Sequence, residues 1–312
     1  MISIRLALMK NVETVLGPVP ADQLGFILPH EHLLVDTYDV RRNSDGVLLE
    51  LATMTGEVAD YKAAGGNTIV DQTIYGLHPD PQGLAEISKA TGVHIIAGTG
   101  FYHQQYYPEW LDDWSVTQIA DRMLGHIVDG FPGTNIKAGI MGELGTHHRG
   151  IKENERKVLE AAAKVQIETK RPIGTHALFT EVGIEQLNIL EAAGADLDIT
   201  LIGHCDTNRD IEYSRKLLKR GVWIGYDAVG QLDKQRDELR AQTIATLIGE
   251  GYLEKILIST DIAGRSRLKI HGSEGYKFLI TKFLPILRNA GVTQEQIDTL
   301  TRKNPQRFLA GK

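Results

Sequence analysis

The sequence predicts an α/β fold: a (β/α)8 TIM barrel with a short N-terminal β extension. From about residue 25 onward, short apolar runs rich in Ile and Val alternate with longer amphipathic stretches. That is the pattern of a parallel sheet crossed by helices. Eight such runs are present, the number at which βα units close into a barrel. No Gly-rich phosphate fingerprint follows the first run, which weighs against an open doubly wound sheet.

Val12 to Leu16 reads as a short strand turned by Gly17-Pro18. The first barrel strand starts at Gly25 or Phe26 and ends at Pro29, just before His30. A polar loop spans Asp36 to Asp45, and Val47 to Ala64 has helical spacing that stops at Gly65-Gly66. The next strands are Thr68 to Val70, Val93 to Gly98, Ile136 to Met141 and Pro172 to Thr175. Ile199 to Gly203, Val222 to Tyr226 and Ile256 to Ser259 complete the eight. Helical periodicity marks Gly83 to Thr91, Val116 to Val128, Asn154 to Thr169, Gly183 to Ala193, Ile211 to Arg220, Leu239 to Gly249 and Tyr276 to Asn289. A last helix opens at Thr293, which forms a capping box with Gln296. No linker or low-complexity segment interrupts the chain, so residues 1–312 read as a single domain.

Composition sets the class. The chain has 312 residues, 42% apolar and 24% charged, with a formal charge of −6, as in a globular protein with a sizeable core. No basic block points to nucleic acid. No apolar run of 18 residues points to a membrane. Arg5 and Lys10 interrupt the mildly apolar start and no small-residue cleavage site follows, so no signal peptide is expected. Cys205 is alone, and no intrachain disulfide can form. Together these readings place the protein in the cytoplasm.

Barrel active sites are built at the C-terminal ends of the strands. Polar residues there are His30 and His32 after strand 1, Glu143 after strand 4, His176 after strand 5, His204 after strand 6 and Asp261 after strand 8. His30 and His32 are two apart, so an extended chain points both to one face. Six such ligands exceed the need of one ion and suit two divalent metals. Glu143 is the candidate bridge, since its two oxygens can serve both ions. Between the ions a bridging water would lose a proton near neutral pH and become the nucleophile. Asp261 would bind one ion and carry the proton to the leaving group.

The motifs also resemble a known family. Strand-1 His-x-His, single His on strands 5 and 6 and Asp on strand 8 are similar to the amidohydrolase superfamily. Leu28-Pro29-His30-Glu31-His32-Leu33, Lys137 to Thr146, Gly203-His204-Cys205-Asp206 and Asn304-Pro305 more closely resemble its phosphotriesterase-related branch, from about Val12 to Leu309. True phosphotriesterases bridge their metals with a carbamylated lysine on strand 4. This sequence has Glu143 there, as the homology-protein branch does, and Lys137 stands too early on the strand to replace it. The resemblance therefore implies a binuclear hydrolase whose metal-bridging hydroxide attacks a carbonyl, first of all a lactonase, with phosphorylated sugar lactones as one substrate class. An N-acyl amino acid or amide hydrolase is the alternative, and phosphotriesters are at most side substrates. Zinc is the expected metal, with manganese, iron or cobalt also compatible. A homodimer is left open.

Other residues divide between chemistry and packing. Tyr102, in the aromatic run to Trp110, is expected to wall the pocket. Arg265 and Lys269, in the Arg265 to Lys269 cationic loop, are set as substrate-anion contacts against the plainer reading of a solvated loop. Lys234 and Arg236 would add to them. Asp227 divides evenly between orienting a ligand histidine and a strand-end hydrogen bond. Glu31 should face away and pack or pair. Cys205 reads as a buried thiol. His147 and His148 are extra candidates near strand 4, while His78, His103 and His271 fall in loops. A barrel that keeps its metals but has lost catalysis is the non-enzyme alternative.

Overall fold

The computed structural model describes residues 10–231 and 234–311. The first nine residues, read above for a signal peptide, lie outside the described residues, as does the side chain of Lys234.

Eight parallel strands form the barrel: β1 (Ile27–Glu31), β2 (Thr68–Asp71), β3 (His94–Thr99), β4 (Ala138–Gly145), β5 (Ile173–His176), β6 (Thr200–Ile202), β7 (Trp223–Tyr226) and β8 (Ile256–Ile258). They pair in sequence order from β1 to β8. Ile27 is in register with Thr68, Leu201 with Trp223, and Ile224 with Ile256. At the seam between β8 and β1, His30 N–H donates to Ser259 Oγ at 3.1 Å and Asp261 N–H donates to His30 O at 3.2 Å.

Crossover helices α1 (Leu51–Ala63), α2 (Pro81–Thr91), α3 (Val116–Val128), α4 (Glu153–Thr169), α5 (Val182–Ala192), α6 (Ile211–Leu218) and α7 (Lys234–Gly249) follow strands 1 to 7 in turn. Their ends are set locally. Asp80 caps α2 through Gly83 N–H at 2.9 Å, and Ser115 with Gln118 forms a capping box on α3.

Two apolar cores result. The larger lies between strands and helices. The smaller fills the barrel: Ile27, Val70, Ile96, Ile140, Leu201, Trp223 and Leu257 point inward. Val12 from the N-terminal hairpin (Asn11–Thr14 with Gly17–Pro20), Leu24, and Phe308 with Leu309 from the C-terminal helix close it from below. Gly139 permits the hairpin's close approach, because a Cβ there would meet Glu13 O at 2.6 Å. Asn304 ties the closing helix down by donating to Leu253 O and Ile256 O at 2.8 and 2.9 Å. With the floor plugged by hydrocarbon, polar side chains gather at the C-terminal rim.

Three expectations shift. The helix expected from Val47 starts at Leu51, because Val47 and the buried Leu48 pair with Val35–Asp36 in a small antiparallel ladder. The helix expected over Tyr276–Asn289 is broken. A 3-10 turn (Gly275–Lys277) leads to a π turn (Leu279–Phe283), and α-helix resumes only at Leu284–Asn289. Pro285 has no N–H to give back, and the wider turn ahead of it lets Leu284 N–H reach Leu279 O. Strand 4 runs on to Gly145, so Glu143 lies inside it. The capping box of Thr293 and Gln296 is present. Among the described residues, no helix is long and apolar enough to cross a membrane.

Candidate metal centre

Glu143 stands in the middle of the rim. Its Oε1 lies 3.2 Å from His32 Nε2. Its Oε2 lies 2.6 Å from His176 Nδ1, 3.1 Å from His204 Nε2 and 3.2 Å from His30 Nε2. Asp261 Oδ1 is 3.3 Å from His32 Nε2 and 3.9 Å from His30 Nε2. All six side chains chosen from the strand ends thus meet within one cluster. The histidines and Glu143 are buried. Among the described residues three groups of potential ligands can be drawn: His30–His32–Glu143 and Glu143–His176–His204 share Glu143, and Asp227 groups with His30 and His204 through their other ring nitrogens.

Each histidine spends its other ring nitrogen on an outside partner. Asp227 Oδ2 holds His30 Nδ1 at 2.9 Å, and Asp227 Oδ1 holds His204 Nδ1 at 2.8 Å and its backbone N–H at 2.9 Å. Thr73 Oγ1 meets His32 Nδ1 at 3.0 Å, and Tyr102 OH meets His176 Nε2 at 3.2 Å. A carboxylate can only accept, so it fixes the Nδ1–H tautomer on His30 and His204 and leaves Nε2 facing inward. This is the outer arrangement that holds metal-binding histidines in place.

One inner nitrogen lacks a hydrogen-bond partner among the described residues, and others crowd a single oxygen. His30 Nε2 is buried without a hydrogen bond among the described residues. His204 Nε2 and His176 Nδ1 lie 2.8 Å apart and face the same Glu143 oxygen. Buried polar atoms normally find partners, and a cation at the centre would serve them together. Without one, protons must fill that role. Burial pushes the imidazoles of His30 and His204 down. The Glu143 and Asp227 carboxylates outweigh it for His30, and Asp227 outweighs it for His204, so both end well above the usual range. His32 is lowered by burial but raised further by hydrogen bonds to Asp261 and Glu143, to about 9. Burial pushes Glu143 up, and His176 and His30 more than reverse this, holding it well below the carboxylate norm. Nitrogen and oxygen donors of this kind suit zinc and similar divalent ions.

Sequence reasoning missed part of the support. Asp71 ends β2 and Thr73 lies just past it, where polar residues also succeed an apolar run. Asp71 Oδ2 accepts Leu33 N–H at 2.6 Å, fixing the chain just past His32. Tyr276 OH donates to His32 O at 2.6 Å. Glu31, expected to face away and pair, grips the loop after β8. Its Oε1 accepts from Ser259 Oγ, Thr260 N–H and Thr260 Oγ1 at 2.8, 2.8 and 2.6 Å, and its Oε2 accepts Ile262 N–H at 2.8 Å.

A cavity of about 250 Å³ opens over the cluster. His32, Glu143, His176 and Asp261 form its base, and Tyr102 lines it. Its walls include Leu77, Phe179, Arg41 and Arg236. The expected anion contacts Arg265 and Lys269 are not among its lining residues. Arg265 Nε donates to Val47 O at 2.6 Å and its Nη2 pairs with Glu50, while Lys269 pairs with Asp60. Both cations are spent on loop and helix contacts that hold the loop after β8 against the chain near α1. Arg267 is also occupied, donating to Thr260 O and Val229 O. His147 and His148 stack on each other at 4.7 Å, and His103 packs edge-on to His176 at 5.2 Å without lining the cavity. His78 and His271 are exposed. Cys205 is buried, its Sγ 3.2 Å from Ile202 O.

A family model described as the phosphotriesterase family matches residues 10–309. The chain belongs to the phosphotriesterase family. The phosphotriesterase homology protein of Escherichia coli is 35% identical, over 92% of this chain and 99% of that one. Its crystal structure with phosphate in the active site superposes with a TM-score of 0.89. N-acetyltaurine hydrolase of Xenopus tropicalis is 31% identical, covering 98% of this chain and 99% of that one. The crystal structure of a lactonase from Listeria monocytogenes is 26% identical, with a TM-score of 0.91 over 97% of this chain and 99% of that one. Phosphotriesterase-family enzymes are metal-dependent hydrolases, and this member is a hydrolase that carries clustered histidine and carboxylate ligands.

Proposed function

We propose that this phosphotriesterase-family member is a binuclear lactonase. Its ligands are His30, His32, Glu143, His176, His204 and Asp261, and zinc is the first candidate metal. The observation that carries the reading is that Glu143 is shared by two of the three ligand groups, with oxygens turned to different histidines. When bound, two such ions supply Lewis acidity and a water deprotonated near neutral pH.

The chain's own residues do the rest. Asp227, Thr73 and Tyr102 keep the four imidazoles oriented. Asp261, at the base of the cavity, takes a proton and returns it to the departing oxygen. Leu77 and Phe179 give the wall apolar surface, and Arg41 and Arg236 give it a positive side. Arg41 takes the place of Arg265 and Lys269 as the contact for a substrate anion. A sugar lactone carrying a phosphate suits this mixture of apolar and cationic wall.

A second reading is hydrolysis of an N-acyl amino acid or a similar amide. The end-to-end match to N-acetyltaurine hydrolase favours it. Phosphotriesters would be side substrates. The deciding experiment is a hydrolysis screen of the metal-loaded protein on lactones with and without phosphate, N-acyl amino acids and phosphotriesters. Highest kcat/KM on a lactone supports the first reading, and highest kcat/KM on an amide replaces it with the second. No turnover of any class leaves a catalytically silent metal-binding barrel.

A further inference from the structure

We propose that Gln231 is a positioning residue for Asp261, an inference that rests on reading Asp261 as a metal-holding group. Asp261 follows β8 in a left-handed backbone conformation, φ 46°, which persists in a non-glycine residue only where the surroundings impose it. Three contacts impose the backbone. Glu31 takes the N–H groups of Thr260 and Ile262 on either side, and Asp261 N–H donates to His30 O.

The side chain is fixed separately. Gln231 Nε2 lies 2.9 Å from Asp261 Oδ2 and 3.2 Å from Asp261 O. Both partners can only accept, so the nitrogen of the amide faces them, and its two hydrogens match two acceptors of one residue. With Oδ2 held outward, Oδ1 is left facing His32 and His30. The carboxylate cannot rotate without breaking the bond to Gln231.

Gln231 is itself braced from α7. Arg240 is buried between Asp206 at 2.6 Å and Asp237 at 2.8 Å, and its Nη1 donates to Gln231 O at 3.3 Å. Asp206 accepts Ala228 N–H at 3.2 Å and Asp237 accepts Gly230 N–H at 2.9 Å. A buried ion network thus sets the loop after β7, and that loop delivers one amide to one carboxylate. A plain wall residue would need neither the brace nor the paired hydrogen bonds.

The test compares Gln231→Met, which keeps length but has no donor, with Gln231→Lys, which restores donor hydrogens at similar reach. Chelator competition is followed on zinc-loaded protein, and visible absorption on cobalt-loaded protein. Gln231→Met is expected to give up metal at roughly tenfold lower chelator concentration and to shift the cobalt bands, while Gln231→Lys recovers both. Metal-free thermal unfolding should stay the same in all three. Should Gln231→Met not fold, Gln231→Asn, too short to reach both acceptors, carries the same expectation. A wild-type chelator midpoint and unshifted cobalt bands in the donor-less variant would overturn the proposal, as would failure of Gln231→Lys to restore them. Asp261→Asn separates this from the underlying reading. If Asp261→Asn keeps wild-type metal retention, the role given to Asp261 fails. If Asp261→Asn loses metal and Gln231→Met does not, only the role of Gln231 fails.

Discussion

Asp227 Oδ1 holds His204 twice, accepting the ring Nδ1–H at 2.8 Å and the backbone N–H at 2.9 Å. His204 sits there in a left-handed conformation, φ 56°, so one carboxylate oxygen secures both the strained backbone and the tautomer. The other oxygen does the same for the ring of His30. Replacing Asp227 with Asn turns one acceptor into a donor and releases one of the two rings. Asp227→Asn is expected to weaken metal retention by roughly 10–100-fold, measured by chelator competition with metal content read by mass spectrometry. Retention equal to wild type would show that the rings are held by something else.

Removing the shared carboxylate should do more. Glu143→Ala is expected to lose bound metal and turnover together, since the group that holds His32 and the group that holds His176 both include it. Metal content and initial rates on the same preparation check this. A variant that keeps both shows that Glu143 is not the bridge.

The barrel and its rim were legible because each depends on local pattern. Short Ile/Val runs fix the strands, and topology then gathers whatever polar residues follow them. His30, Glu143 and Asp261 lie far apart in the chain, yet the strand-end rule places them together. Asp227 was legible only as an even choice, because its partners sit on other strands. The role of Arg265 was not legible, since Glu50, the acid that neutralises it, is 215 residues away. Val47–Leu48 misled for the opposite reason: they fit a helical spacing locally, but a ladder with Val35–Asp36 claims them.

The cavity wall gives a prediction about the substrate anion. Arg41→Ala should raise KM for phosphorylated lactones about tenfold and leave neutral lactones within twofold, the loss of one charge-assisted contact. Arg265→Ala and Lys269→Ala should leave both classes unchanged. Equal effects of Arg41→Ala on charged and neutral lactones would remove it as an anion contact.

Away from the centre, His126 offers a pH test of the fold. It is buried on α3, with Nδ1 2.8 Å from Thr99 Oγ1. Burial, with Arg122 adding to it, pushes its imidazole down to about 4. An unfolded histidine titrates near 6.5, so between these values the unfolded chain binds a proton the folded chain does not. The stabilising contribution is complete above about pH 6.5 and is lost as pH falls toward about 4, by up to about 3 kcal/mol. Urea unfolding at pH 7 and pH 4.5 should therefore show a smaller pH difference for His126→Gln than for wild type. Parallel losses would contradict it.

The most direct measurement is metal stoichiometry coupled to turnover. Purified protein would be stripped with chelator, titrated with zinc, and assayed at each ratio on the best substrate of the hydrolysis screen. Two ions per chain should bind, activity should vanish on stripping, and full rate should return only as the second equivalent is added. Saturation below one ion per chain, or turnover that survives complete metal removal, would contradict a binuclear hydrolase.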